Sequence, residues 1–144
     1  MFELEKKLEN IISEGFLLHG SRFNIQNNFL APNNKKEVFA TNNYEIALMK
    51  AIVSSNNLNY PGLVYPLFID EKNPLELHIY GMNPDTIGKE GYIYVVSKKS
   101  FKNEPKNSCQ YVNKNKNVPI IEVIKVYKDD LKIPIFNITE TKIQ

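Results

Sequence analysis

Apolar residues at Leu4, Leu8, Ile11 and Ile12 recur at helical spacing and predict an amino-terminal helix with one buried stripe. Gly15 follows where a left-handed cap would end it. Phe16-Leu17-Leu18 then predicts a strand whose end carries His19, while residues 24–34 are polar and turn-rich, as an open loop covering a ligand would be. Val38-Phe39-Ala40-Thr41 reads as the next short strand. Asn42 or Asn43 can cap a helix over 44–53, whose apolar face is Ile46, Ala47, Met49, Ala51 and Ile52.

After Gly62 the period changes. Short β-rich runs at 63–65, 67–69, 75–80 and 91–96 are separated by Pro and Gly, and Pro66 predicts an edge strand or a bulge. The strongest strand is 118–127, with Ile120, Glu122, Ile124 and Val126 on one face and Ile121, Val123, Lys125 and Tyr127 on the other. Glu122 then stands among apolar neighbours as a candidate carboxylate, although a strand-edge position reaching solvent explains it as well. The pattern predicts an α+β fold, and no repeat or linker divides it, so residues 1–144 read as a single domain. A chain of 144 residues can bury roughly two-thirds of its unfolded surface.

Charge adds little to this picture. The net charge of +2 is too small to argue for nucleic acid over the whole surface. Lys98, Lys99, Lys102, Lys106, Lys114 and Lys116 outnumber Glu104 locally, but they sit among asparagines and read as a solvated loop, so no nucleic-acid partner is expected. One cysteine, Cys109, excludes an internal disulfide, and with two histidines it gives no Cys/His cluster, so no metal site is expected. The first ten residues alternate charges without an apolar run, which predicts neither a secretory signal nor a membrane span and favours the cytoplasm.

Candidate chemistry centres on Leu17-Leu18-His19-Gly20-Ser21. An imidazole can donate and accept at once, a glycine lets backbone approach a ligand closely, and a hydroxyl stands beside it. Tyr92, Tyr94 and Tyr111 can stack on a base, yet alternating strand tyrosines also serve cross-strand packing. Cys109 lacks a neighbouring histidine or helix amino terminus that would activate it, and His78 reads as a surface strand residue.

His19-Gly20-Ser21, followed by Val38-Phe39-Ala40-Thr41 and a helix from Tyr44, resembles the ADP-ribosyltransferase fold, in particular its diphtheria-toxin and poly(ADP-ribose) polymerase branch, over about residues 16–127. The resemblance implies a split β-sheet with an N-terminal helix, and NAD as cofactor. It implies His19 on the adenosine ribose and Gly20 main chain on the nicotinamide carboxamide, with Ser21, Arg22, Phe39, Thr41 and Tyr44 completing the pocket.

The family's late-strand glutamate falls at Gln110, ahead of Tyr111-Val112, so the catalytic positions implied are His19 and Gln110. A neutral amide can bond a ribose hydroxyl, but it cannot stabilise an oxocarbenium-like charge as a carboxylate does. Three functions therefore stay open. One is an NAD- or ADP-ribose-binding domain that transfers ADP-ribose to an unidentified acceptor. Another is a non-catalytic ligand-sensing or interaction domain that lost the carboxylate. The third is a relative of the RNA 2′-phosphotransferases, for which Arg22 is the only arginine in the chain.

Overall fold

The computed structural model describes residues 3–32, 36–53, 63–67, 76–80, 88–114, 116–132 and 135–138. Two helices, α1 (Glu3–Ser13) and α2 (Tyr44–Ile52), accompany β1 (Phe16–Ser21), β2 (Phe29–Leu30), β3 (Glu37–Thr41), β4 (Leu63–Leu67), β5 (Glu76–Tyr80), β6 (Glu90–Ser97), β7 (Lys102–Asn103), β8 (Gln110–Lys114), β9 (Val118–Tyr127) and β10 (Ile135–Ile138). The architecture is α+β. Seven strands form one sheet in the order β2-β9-β6-β1-β3-β8-β7, with every neighbouring pair antiparallel. A second sheet has the order β10-β5-β4, and Pro66 lies in β4 at its border, as a residue without an N–H must. The predicted run at 67–69 falls partly outside the described residues.

Local signals account for both helices. Gly15 takes φ +95° just after α1, the left-handed conformation that glycine adopts without a Cβ penalty. Asn43, not Asn42, caps α2: its Oδ1 accepts from the N–H groups of Glu45 (2.9 Å) and Ile46 (3.2 Å).

The large sheet buries both faces. Leu18, Ile93, Val95, Ile124 and Val126 pack beneath α1 and α2, while Leu17, Val38, Ala40, Tyr94, Val96 and Tyr111 build a second apolar cluster on the reverse face. Gly20 and Gly91 make the close seat of α2 possible. A Cβ on Gly20 would stand 2.1 Å from the Ala47 carbonyl oxygen, and one on Gly91 would stand 1.9 Å from that of Ala51. Two glycines on neighbouring strands thus face two alanines one helical turn apart.

The alternation expected along 118–127 is broken once. Val95 pairs with Glu122 but Val96 pairs with Ile120, so a β-bulge at Ile121 shifts the register. Ile120 consequently packs with the reverse-face cluster, whereas Ile124 and Val126 pack under the helices. Glu122 points towards α1 and pairs with Lys7 at 2.8 Å, both side chains being about half exposed. The candidate carboxylate at Glu122 is therefore a surface ion-pair partner.

Candidate functional site

The strand carrying His19 extends through Ser21, and all three of His19, Gly20 and Ser21 pair with β6, opposite Tyr94, Ile93 and Tyr92. On its other side β1 is joined to β3 at one registered pair, Leu18 with Thr41. Beyond it the two strands part, and β3 continues in full register with β8. A cavity of about 540 Å³ lies along this parting. Its walls are β1 (18–20), β3 (39–41), the inner turns of α2 and the 105–110 turn before β8.

His19 bridges the gap. Its Nδ1 lies 2.5 Å from the Phe39 carbonyl oxygen. A carbonyl only accepts, so Nδ1 carries the proton. Although part of its surface reaches the cavity, His19 is crowded enough for burial to hold its pKa below the ordinary 6.5, a fall that the Phe39 bond opposes and the nearby Lys50 charge assists. The neutral imidazole then keeps a lone pair on Nε2. Among the described residues nothing donates to that nitrogen. The ring is backed by Tyr94, centroid to centroid 6.3 Å.

Thr41 and Gln110 are engaged in holding the wall. Thr41 Oγ1 donates to the Cys109 carbonyl (2.8 Å) and accepts from Asn43 N–H (3.1 Å), tying β3 to the α2 cap and to the 105–110 turn. Gln110 lines the cavity, but its Nε2 donates to the Glu104 carbonyl (2.8 Å), which closes the turn between β7 and β8. Glu104 itself pairs through its carboxylate with Lys114 at 3.6 Å. Among the described residues no carboxylate lines the cavity.

Four more of the residues predicted to hold a ligand have structural roles of their own. Gly20 lines the cavity, yet its missing side chain is required by α2. Ser21 Oγ accepts from Phe23 N–H (3.1 Å) and turns the chain after β1. Arg22 lies against Gly88, whose N–H donates to the Ile52 carbonyl at the far end of α2 (2.7 Å). Tyr44 faces α1 in a separate groove with Glu9 and Ile12, where burial and then the Glu45, Glu5 and Glu9 charges raise its pKa. Neither Ser21, Arg22 nor Tyr44 lines the cavity. Phe39 does.

No protein-family model, no curated protein and no solved structure matches this chain. Its chemistry must be read from its own geometry.

The loop after β1 is a strap, not an open cover. Tyr94, fully buried, donates its hydroxyl to the Phe23 carbonyl (2.7 Å) and accepts from Ile25 N–H (2.6 Å), and Ile120 N–H donates to Asn28 carbonyl (2.9 Å). Tyr111 is buried too, with Lys98 Nζ 5.1 Å from its ring centroid, so it is withheld from stacking on a base. Among the described residues no helix is long and apolar enough to cross a membrane, and no group of three or more His, Cys, Asp or Glu gathers to hold a metal.

Lys50 is the charged cavity residue that the sequence pattern did not single out. It lines the wall from the last turn of α2, and desolvation pulls its ammonium below the ordinary lysine range. The signal was present: Lys50 is the one charge within the apolar run 46–53. A lone charge there either snorkels to water or serves the space beside it.

Proposed function

We propose that the cavity binds NAD or another ADP-ribose-containing ligand, within an ADP-ribosyltransferase-like sheet parted between β1 and β3, and that it binds without transferring ADP-ribose. The reading is carried by His19. Its Nδ1–H is spent on Phe39, so its Nε2 offers a fixed acceptor, suited to a ribose hydroxyl, on an apolar cavity. The adjacency of β1, β3 and β8 supports the same reading, because it gathers His19, Phe39 and Gln110 from three separate parts of the chain.

Binding is favoured over transfer by the cavity's lack of a carboxylate among the described residues. Breaking the nicotinamide glycosidic bond develops positive charge on the ribose, and one missing transition-state partner typically costs about a hundred- to a thousandfold in rate. Gln110 offers no charge, and its amide is already committed to Glu104.

Thermal unfolding tests the reading. A ligand that binds only the folded state raises the midpoint by mass action. Millimolar NAD or ADP-ribose should raise it for the native protein and leave His19→Ala unmoved; equal shifts in both proteins, or none in either, would exclude this cavity as the binding site.

A further inference from the structure

Resting on the nucleotide reading, we propose that Lys50 is the phosphate-binding residue of the cavity, pairing with the pyrophosphate of an ADP-ribose-type ligand while His19 Nε2 accepts from its ribose hydroxyl. Lys50 is the cation among the residues that line the cavity, and no aspartate or glutamate among them offsets it. The cavity lining is mostly apolar and also offers the polar side chains of His19, Thr41, Ser108 and Gln110. Elsewhere on the protein Lys7, Lys114 and Lys125 each reach a carboxylate, at 2.8, 3.6 and 2.6 Å. Lys50 makes no hydrogen bond or ion pair among the described residues.

Lys50 is solvent-exposed where it borders the cavity, so its ammonium stays hydrated until an anion in the cavity replaces part of that water. The apolar part of the lining weakens dielectric screening on one side of Lys50, which favours an anion there modestly over an open surface. Lysine suits a phosphate as a compact point charge. The neighbouring histidine adds the second requirement. A fixed acceptor close enough for Lys50 to influence it calls for a ligand with a hydroxyl donor near its negative charge, the pairing found in a ribose phosphate.

Calorimetric titration of the native protein, Lys50→Met and Lys50→Arg with ADP-ribose, adenosine and inorganic pyrophosphate tests this assignment. Lys50→Met keeps the apolar stem and removes the charge. ADP-ribose should bind it about ten- to a hundredfold more weakly than the native protein, as expected for a lost charge-assisted bond. Lys50→Arg should bind it nearly as well as the native protein, and adenosine should bind all three alike. Equal ADP-ribose affinity for native protein and Lys50→Met would overturn the role of Lys50 while leaving the nucleotide reading intact. If the native protein binds neither ADP-ribose nor adenosine, the nucleotide reading falls, and pyrophosphate then decides: Lys50-dependent binding upholds an anion site, and none overturns it.

Discussion

His19 Nδ1 and the Phe39 carbonyl oxygen meet at 2.5 Å across strands that share one registered pair. The side chain thus supplies a hydrogen bond that the parted backbones of β1 and β3 do not make, and the same bond decides which ring nitrogen is left for a ligand.

The first prediction concerns acid. Burial lowers the His19 pKa below 6.5 in the folded protein. Above that value the ring is neutral in both states and contributes no pH dependence; below it the unfolded chain takes up the proton first. Stability should therefore fall as pH drops from 6.5 towards the lowered folded value, by up to about 1.4 kcal/mol per pH unit from this group. Urea midpoints across this range should decline more steeply for the native protein than for His19→Gln, and parallel curves would contradict the assignment.

A methyl group at Gly20 should be far costlier than one at Gly15. The Gly20 Cβ would stand 2.1 Å from the Ala47 carbonyl oxygen and 2.8 Å from Ala51 N, both backbone atoms, so α2 must lift from β1. Gly20→Ala should cost about 3 kcal/mol or more. At Gly15 nothing lies within 4 Å and the cost is that of φ +95° alone, about 1 kcal/mol. Denaturant titration of the two variants gives the comparison.

Restoring a carboxylate at position 110 should not restore catalysis. Gln110 Nε2 donates to the Glu104 carbonyl, whereas a glutamate would set a negative oxygen against it. Gln110→Glu should lose about 0.5–1.5 kcal/mol of stability and release nicotinamide from NAD no faster than the native protein. A clear gain in release would show that the turn adapts and that the site had kept its reactive geometry.

Tyr94→Phe should free the strap after β1. The buried hydroxyl serves both Ile25 N–H and the Phe23 carbonyl, so its removal leaves two groups unpaired at a cost of about 1–3 kcal/mol. Hydrogen exchange at the Ile25 amide should accelerate by a larger factor than exchange in β6.

Periodicity and capping chemistry are local, and they made much of this fold legible: α1, α2, the cap after α1 at Gly15 and strands β1, β3, β6 and β9 all stand near their predicted places, whereas β8 lies in a segment whose lysines and asparagines read as a solvated loop. The two-residue strands β2 and β7 were not legible, since two residues carry no period. The bulge at Ile121 was hidden for a related reason. An alternating run looks the same whether or not its partner slips, so Glu122 was read onto the face of Ile120.

The site was legible in its residue types and obscure in its directions. His19, Phe39 and Gln110 line one cavity, and Tyr44 lies in another groove. Gly20 invites two explanations, a ligand or a close helix, and only the packing of Ala47 against it separates them. Tyr44 lies in the first turn of α2, where the helix turns it to α1. The parting of β1 from β3 joins residues far apart in sequence, and no local pattern encodes it.

The most direct measurement of the central claim is a map of backbone amide shifts as ADP-ribose is titrated into the labelled protein. Perturbations should concentrate at His19, Gly20, Phe39, Thr41, Lys50 and Gln110, which enclose the cavity, and should vanish in His19→Ala. Saturable perturbations confined instead to the groove of Glu9 and Tyr44 or to Lys98 and Lys99, or none at millimolar ligand, would contradict it.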